Sequence, residues 1–324
     1  MKFLNKLSII CAAGLLLVSL APSANAQAWP TKPVRWIVPF AAGGAADAIA
    51  RTLGTKLSER WGQQVLVDNK PGANTVIGAS EAAHAAPDGY TLFQALNSTL
   101  SLNPYTFSKL SYDPMKDFTH ISIIAAVPVI FVSNDSLPAK NIPELVALAK
   151  SKPGTITIGY GNVATQLGIE RFSRDAGIKL SLVPYKTGVD ITKGLLSGEI
   201  QMGVDGATQY QPLAKLGKVR ILATNNPRKI SSLPDVPTLI ELGYKNSEAG
   251  LWHGVSAPAG LPKVIKDRIE ADLKAVLQMP DVIEKMGMLG LEPSWSSSVD
   301  YVKTIQAEAA VMQPLVKELG LKMD

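Results

Sequence analysis

Apolar positions along the chain switch between two spacings. Residues 34–38 form a short, mostly apolar run typical of a buried strand, and apolar residues then recur at every fourth position over 49–57, a helical spacing. Further strand-like runs at 65–68 and 91–95 surround a small-residue helical pattern at 75–85, with Gly and Pro clusters between them. Strands that alternate with helices predict an α/β sheet with parallel strands.

The same alternation begins again after a long apolar stretch at residues 121–133, whose second half is expected to leave the first group of strands. The expected strands are 155–158, 180–183, 200–204 and 219–223, and the expected helices are 143–150, 164–176, 189–196 and 208–216. An apolar run at 251–257 is expected to return to the first group, and the helical patterns 262–277, 281–286 and 299–319 follow it.

This order predicts two α/β domains joined by two crossover strands. Domain 1 takes residues 27–127 and 252–324, and domain 2 takes residues 128–251. In open sheets of this kind, ligands bind outside the carboxyl ends of the strands. Two domains joined by a pair of crossover strands form a hinge with a cleft between them, an architecture typical of binding proteins.

Residues 1–26 have the features of a cleavable signal peptide. Lys2 and Lys6 precede an apolar core at 9–20 that is too short to span a membrane comfortably, and Ala24-Asn25-Ala26 is a small-x-small cleavage signal. We therefore expect a mature chain that begins at Gln27, is soluble, and resides in the periplasm.

Composition excludes several classes of function. The single cysteine, Cys11, lies in the signal segment, so the mature chain is expected to have no disulfide and no thiolate metal site. Removing the two signal lysines from 32 basic residues leaves 30 against 27 acidic ones, a net charge of +3 that is too small for a nucleic-acid-binding surface. The three histidines form no His-x-x-x-His pair, and no catalytic or nucleotide-binding fingerprint occurs. We expect neither a metal nor a cofactor, and no catalytic residues.

The loop after the first strand is the first candidate anion site. Phe40, Ala41, Ala42, Gly43 and Gly44 lead from the strand into a helix, where unpaired N–H groups and the helix dipole favour an anion. The alternative is that the glycines only form a tight turn. Asp47, about one turn into the helix, is either a structural cap or a ligand contact. Asn97, Ser98 and Thr99 follow the third strand and are expected to face the same crevice.

The second half of the chain offers a matching candidate. Residues 159–162 form a glycine turn before a helix, and Asn162 and Thr165 are either plain N-caps or the start of a carboxylate site. Asp205 ends a strand at the expected cleft edge, where it accepts hydrogen bonds from a ligand or from a loop amide. His253, on the returning strand, is more typical of a core or hinge residue than of a ligand contact.

Seven segments together resemble the substrate-binding proteins of tripartite tricarboxylate transporters, the Bug family. They are PVRWIVPFAAGG (33–44) with Asp47, VDNKPGA (67–73), APDGYTL (86–92), LSYDPMKDF (110–118), VPYK (183–186), LPDVPT (233–238) and WHGVSAPAG (252–260). They cover nearly the whole mature chain in the family's order.

This resemblance implies the type II periplasmic binding protein fold and a receptor that delivers a small carboxylate to inner-membrane permease subunits. We expect the receptor to be a monomer. The alternatives are a receptor that presents its ligand to a sensor kinase and, in another class, a periplasmic enzyme on the same fold. The family's ligand loops fall on Phe40–Asp47, Asn97–Thr99 and residues 161–166, and its strand-end aspartate falls on Asp205. The implied contacts in the third loop are Gly161, Asn162, Ala164, Thr165 and Gln166.

Several positions depart from the family's usual pattern. Ala42, Ala45 and Ala46 replace a proline, a glycine and a threonine, whereas Val163 and Ala164 replace Gly-Ser and Gln166 replaces a frequent histidine. Because methyl groups replace hydroxyl and glycine positions, our hypothesis is a carboxylate ligand with a more apolar body than citrate, such as an aromatic or longer aliphatic acid.

Overall fold

The computed structural model describes residues 29–185, 187–226, 229–230, 232–245, 247 and 250–322. The expected signal peptide lies outside these residues. Among these, the residues from Lys32 onward form one compact unit. Within the described residues, no helix is long and apolar enough to cross a membrane.

Two mixed sheets organise the chain. The first has the strand order β11-β4-β10-β3-β1-β2, with β1 (Val34–Val38), β2 (Val65–Asn69), β3 (Thr91–Leu96), β4 (Phe118–Val127), β10 (Leu251–Pro258) and β11 (Glu292–Pro293). The second has the order β7-β6-β8-β5-β9, with β5 (Val129–Ser133), β6 (Thr157–Tyr160), β7 (Ser181–Pro184), β8 (Met202–Gly206) and β9 (Arg220–Thr224).

Helices connect and cover both sheets. They are α1 (Ala45–Trp61), α2 (Val76–Ala83), α3 (Asn103–Thr106), α4 (Ile142–Ser151), α5 (Val163–Ala176), α6 (Gly188–Ser197), α7 (Tyr210–Lys215), α8 (Lys263–Leu277), α9 (Pro280–Met288) and α10 (Ser298–Leu319). A π-helical turn, Ser98–Leu102, follows β3, and short 3₁₀ turns occupy Ala73–Thr75 and Ala207–Gln209.

Separate apolar cores form on the two sheets. Ile37, Phe93 and Trp252 pack with other buried residues on the first sheet. On the second sheet, Phe131 and Phe172 meet edge to face with ring centroids 5.2 Å apart. Burying each such side chain stabilises the fold by about 1.5–3 kcal/mol, so each sheet is anchored by its own core.

The carboxyl edges of the two sheets meet where β4 leads into β5. β1 and β3 are parallel neighbours, and β4 also runs parallel to β3 because both pair antiparallel with β10. In the second sheet β5 is antiparallel to β8, with Val129 opposite Gly206. Since β4 ends at Val127 and β5 begins at Val129, the two carboxyl edges meet at Pro128, whose carbonyl accepts the Ala207 N–H at 2.8 Å.

The structure confirms the predicted α/β organisation and corrects some boundaries. The strand expected at 155–158 is Thr157–Tyr160, so two residues assigned to a loop lie in the sheet. Of residues 97–99, expected as a loop, Asn97 is the N-cap of the π-helical turn, and Ser98 and Thr99 are its first two residues. The two-residue strand β11 was not predicted, because a strand that short has no periodicity.

Candidate functional site

The loop between β1 and α1 lies at the carboxyl edge of the first sheet. Residues 41–45 are exposed, and Gly43 has a left-handed φ of +87°, a conformation that favours glycine. The N-cap of α1 is Gly44, which has no side chain to cap the first-turn N–H groups. The first turn of α1 therefore offers backbone donors to an external acceptor.

Asp47 fastens this loop to the helix. The residue is 4% exposed, and its Oδ2 accepts the Gly43 N–H at 3.0 Å and the Arg51 Nε–H at 2.9 Å. The hydrogen bond from Arg51 and the bond from Gly43 outweigh burial and hold the pKa of Asp47 below its usual value. The carboxylate is thus ionised, and part of its role is to hold the glycine turn.

A buried polar pair supports the loop from beneath. The Gln94 side-chain amide on β3 donates to the Ala46 carbonyl at 3.0 Å and lies 3.1 Å from His253 Nδ1 on β10. Burial lowers the pKa of His253 to about 4, so the ring is neutral at physiological pH. His253 is a core residue behind the loop, in agreement with the expectation from sequence.

The segment after β3 lies at the same edge because β3 is the parallel neighbour of β1. Asn97 and Thr99 are buried, whereas Ser98 is half-buried. The hydroxyl of Thr99 is 2.8 Å from that of Thr75, and the carbonyl of Thr99 accepts the Tyr112 hydroxyl at 2.7 Å. Thr99 is therefore held by the fold, and Ser98 is the more accessible of the two hydroxyls.

A left-handed turn that the sequence did not indicate supports this segment. Ala73, Asn74 and Thr75 all have positive φ, from 44° to 78°, although none is glycine. Asn74 Nδ2 donates to Asn103 Oδ1 at 2.7 Å, and Asn103 Nδ2 donates back to the Asn74 carbonyl at 2.9 Å. Left-handed backbone costs about 1–2 kcal/mol per residue, which these contacts and the Thr75–Thr99 contact offset.

Asn97 touches the second crossover. Its Nδ2 donates to the Gly250 carbonyl and to Glu308 Oε1, each at 3.4 Å. Gly250 directly precedes β10, which begins opposite the end of β4 at Val127. Asn97 thus connects a predicted ligand loop to the segment that joins the two sheets.

The start of α5 is capped by its own side chains. Asn162 Oδ1 accepts the Thr165 N–H at 2.9 Å, and the Asn162 N–H donates to the Thr165 hydroxyl at 3.3 Å, which is a capping box. Thr165 is 2% exposed, whereas Gly161, Ala164 and Gln166 are half-buried. The capping alternative therefore accounts for the contacts of Asn162 and Thr165.

Val163 packs between elements of the two sheets. It contacts an apolar cluster whose buried members are Leu102, Leu167, Met312, Leu315 and Val316. Since Leu102 follows β3 and Met312 lies on α10, the cluster joins α5 to elements of the first sheet. The valine at this position is explained by that packing, without a ligand.

Asp205 lies inside β8, next to its last residue. Its Oδ1 accepts the Gly206 N–H at 2.8 Å, and its Oδ2 accepts the Gln209 amide at 2.7 Å. A Cβ added at Gly188 would lie 2.0 Å from Oδ2, so a larger residue there would displace the Asp205 carboxylate from this position. Burial raises the pKa of Asp205. These contacts fit the alternative in which Asp205 accepts a hydrogen bond from a loop amide.

The structure groups the predicted residues at two edges. Residues 40–47 and 97–99 share the carboxyl edge of the first sheet, and 161–166 and Asp205 lie at that of the second, the two edges meeting at Pro128. A cavity of about 440 Å³ lies beside the second crossover, lined among others by Arg171, Asn226, Trp252 and Glu308. Within the described ranges, none of the predicted site residues lines it.

Gln94 and Glu308 contact the predicted ligand loops, but the sequence alone did not predict a role for either. Gln94 lies in an apolar run and Glu308 in an amphipathic helix, so neither has a local signal of its role. In the part of the chain that the structure describes, no group of three or more His, Cys, Asp or Glu side chains is arranged to hold a metal ion.

Comparison with known proteins gives consistent matches along the chain. The model of the tripartite tricarboxylate transporter family receptor matches residues 49–321. A UPF0065 protein of Agrobacterium vitis, from the TAR-I ttuE-ttuC' intergenic region, is 36% identical over 317 residues, which are 95% of this chain and 91% of that protein.

Two solved structures share the architecture. R. palustris Rpa4515 with adipate is 30% identical with a TM-score of 0.79, covering 91% of this chain and 99% of that one. MatC from Rhodopseudomonas palustris with bound malate is 26% identical with a TM-score of 0.74, covering 89% and 100%. These likenesses confirm the type II periplasmic binding protein fold. The chain belongs to the tripartite tricarboxylate transporter receptor family, whose members are periplasmic binding proteins.

Proposed function

We propose that this protein is a periplasmic receptor that binds a small organic carboxylate for uptake by a tripartite tricarboxylate transporter. Its family membership supports this function, as do the adipate and malate bound to Rpa4515 and MatC. The proposed contacts are the residues predicted from sequence: Phe40, Ala41, Ala42, Gly43, Gly44, Asp47, Asn97, Ser98, Thr99, Gly161, Asn162, Ala164, Thr165, Gln166 and Asp205.

The observation that carries the proposal is the uncapped start of α1 at the carboxyl edge of the first sheet. Gly43 and Gly44 bring an exposed backbone to a helix N-terminus without a side-chain cap. Backbone donors at such a place bind a carboxylate without a cationic side chain. Arg51 offsets the nearby charge of Asp47, which reduces its repulsion of an anion.

We also propose the domain division that was expected from sequence. Domain 1 takes residues 27–127 and 252–324, domain 2 takes residues 128–251, and the two crossovers form the hinge. The membership of the strands in the two sheets supports this division. Ligand binding then favours the closed arrangement by its differential affinity for that state, and no covalent chemistry is needed.

The structure narrows the hypothesis of an apolar ligand body. Ala42 and Ala45 are exposed, so their methyl groups are available to a ligand. Ala46 is 5% exposed and Val163 packs in the apolar cluster, so these two departures from the family pattern have structural explanations. The hypothesis of an apolar ligand body is therefore supported by Ala42, Ala45 and Ala164.

A thermal-shift screen tests the ligand class. Adipate, malate, citrate and an aromatic acid are compared over a concentration series, since ligand-induced stabilisation follows mass action. We expect concentration-dependent stabilisation by adipate or the aromatic acid, and stoichiometric binding without turnover. Strong stabilisation by citrate or malate with no response to apolar acids would refute the apolar body. No response to any acid would refute the carboxylate receptor.

The proposed partners are the inner-membrane permease subunits, and the proposed state in solution is a monomer without cofactor. A strain that lacks this receptor is expected to lose uptake of the bound acid. Preserved uptake together with loss of a transcriptional response would instead indicate a receptor for a sensor kinase. N-terminal sequencing of the exported protein is expected to begin at Gln27.

A further inference from the structure

Glu308 is a carboxylate outside the predicted site that touches it through side chains. It lies on α10 and is half-buried. Its Oε1 accepts the Asn97 side-chain amide at 3.4 Å, and its Oε2 accepts the Trp252 indole N–H at 3.1 Å. One carboxylate therefore joins three parts of the chain: the C-terminal helix, the segment after β3 and the returning strand β10.

The contacts place Glu308 at the second crossover. Asn97 donates to the Gly250 carbonyl with the same amide that reaches Glu308, and Trp252 lies two residues further along. The indole of Trp252 also packs edge to face on Tyr301, with centroids 5.4 Å apart. Any movement of Glu308 therefore acts on a proposed ligand residue and on the crossover together.

The groups that face Glu308 come from several elements. Arg171 of α5 lines the same cavity as Glu308, Ser101 and Asn97 lie in the segment after β3, and Tyr301 lies on its own helix. Burial is the largest influence and raises the pKa of Glu308 to about 7, against the weaker effects of Ser101, Asn97, Trp252 and Arg171.

The two protonation states of this carboxyl group differ in what they can bind. The ionised carboxylate is an acceptor at both oxygens, so it accepts from Asn97 and Trp252 simultaneously. The protonated carboxyl keeps one carbonyl acceptor and turns the other oxygen into an O–H group, which accepts more weakly than a carboxylate oxygen. Protonation therefore weakens the contacts with Asn97 and Trp252 and gives the carboxyl a proton to donate, with the Ser101 hydroxyl beside it. Asn97 Oδ1, which has no hydrogen-bond partner within the described residues, is an available acceptor if the amide turns.

We propose that Glu308 is a positioning residue of the ligand site: its ionised carboxylate fixes the Asn97 side chain against the second crossover, and ligand affinity is highest when that contact is formed. This inference rests on the proposed function, because it assigns Asn97 to the ligand site. It makes the receptor release its ligand more readily as the surroundings become acidic.

Positioning and simple charge repulsion predict opposite pH dependences. If Glu308 acts only through its charge, ionisation repels an anionic ligand and affinity falls as the pH rises. If it acts by orienting Asn97, affinity increases as the pH rises. When only the ionised form is competent, a group with a pKa of about 7 gives about tenfold tighter binding at about pH 8 than at about pH 6.

The first test needs no ligand. In ¹⁵N-labelled protein, the Trp252 indole and Asn97 side-chain amide signals, assigned with Trp252→Phe and Asn97→Ser, are followed between about pH 6 and about pH 8. We expect both signals to titrate together in the native protein and to stay fixed in Glu308→Gln. Signals that do not titrate, or that still titrate in Glu308→Gln, would overturn the proposal.

The second test measures affinity by calorimetry over the same pH range, with adipate and malate as probes. Ordinary carboxylic acids remain ionised there, so a change reports on the protein. We expect about tenfold tighter binding with rising pH in the native protein and a flat profile in Glu308→Gln. A flat or falling profile in the native protein would overturn the proposal.

Two variants separate positioning from charge. Glu318→Gln removes a carboxylate from the same helix that pairs with Arg174 at 2.7 Å and does not touch Asn97, so it should keep the native profile. Glu308→Asp keeps the charge but shortens the side chain by one methylene and should bind more weakly than the native protein at about pH 8. If neither acid binds, the proposed function fails for these probes, and the labelled signals alone decide whether Glu308 holds Asn97.

Discussion

The N-termini of α1 and α5 look alike in sequence and differ in structure. Each follows a strand that ends at the carboxyl edge of its sheet, the two edges meeting at Pro128, and each begins after a glycine turn. However, α1 starts at Gly44 without a side-chain cap, whereas α5 starts at Asn162 with a complete capping box. The backbone N–H groups in the first turn of α1 thus remain available to a ligand. In α5, the Thr165 N–H is already hydrogen-bonded to the Asn162 side chain.

This difference indicates an asymmetric anion site. A ligand carboxylate is expected at α1, and α5 is expected to contribute mainly a rigid, well-ordered surface on the other side. A helix N-terminus attracts anions only as far as its donors are unpaired. The two helices therefore provide an internal comparison in which the capping residue is the main variable.

The largest expected effect is at Gly43. Gly43→Val places a β-branched residue at a φ of +87° in open space beside the α1 donors, and we expect about a hundredfold loss of affinity, or about 2.7 kcal/mol. Gly62→Val is the matched control: Gly62 caps the other end of α1 at a φ of +65°, also in open space. It should cost similar stability and leave affinity unchanged in calorimetry. Equal affinity losses in both variants would break the assignment of the anion site to α1.

The next effect concerns the cap of α5. Asn162→Ala removes the capping box and should lower the free energy of unfolding by about 1 kcal/mol, measured by denaturant titration. Asn141→Ala removes the equivalent bond at α4, where Asn141 Oδ1 accepts the Glu144 N–H at 2.9 Å, and should cost the same. Asn141→Ala should bind ligand normally, and Asn162→Ala, which alters a proposed contact, should lose affinity only a few-fold. A tenfold loss of affinity confined to Asn162→Ala would show that α5 also binds the carboxylate.

A smaller effect is expected at Asp47. Asp47→Asn weakens the bonds from Gly43 and Arg51 and should cost about 1 kcal/mol and a few-fold in affinity. Because the folded pKa of Asp47 is lowered, its stabilisation is present above the usual value of 3.8 and is lost as the pH falls below it. The native protein and the variant should therefore approach equal stability in acid. Arg51→Gln, which spares the Gly43 bond, should cost less than about 0.5 kcal/mol.

The smallest effect at neutral pH is expected at His253, beneath α1. Burial lowers its folded pKa to about 4, so its contribution to stability is present above the unfolded value of 6.5 and is lost as the pH falls towards 4. His253→Gln should flatten this acid-side loss in thermal melts. His120→Gln should do the same, because burial also lowers the pKa of His120 to about 4. Only His253→Gln should alter affinity, by about twofold, since Gln94 links it to Ala46.

Local sequence was sufficient for most elements. β1 has the predicted bounds, because an apolar run closed by Pro39 leaves little choice of strand. The error at β6 has a tertiary cause. Gly159 was taken for a turn glycine, but a Cβ there would lie 2.6 Å from Ile200 Cδ1, so the glycine permits close packing inside the sheet. One sequence cannot distinguish these two uses of glycine.

The features of the candidate site also divide into those that local sequence predicts and those that only tertiary contacts decide. Glycines at 43 and 44, and an Asn-x-x-Thr pattern at 162–165, are visible in the sequence because capping acts over three or four residues. The left-handed turn at Ala73–Thr75 is not, because contacts with Thr99 and Asn103 hold it there.

By itself, the sequence determined the α/β order, the turn glycines and the two helix starts, since each depends on neighbours within a few residues. Only the tertiary structure decided that the two carboxyl edges meet at Pro128, that Val163 packs against α10, and that Glu308 reaches Asn97 across 211 residues. Those contacts depend on how the sheets and α10 come together, and side chains so distant along the chain leave no periodic signal.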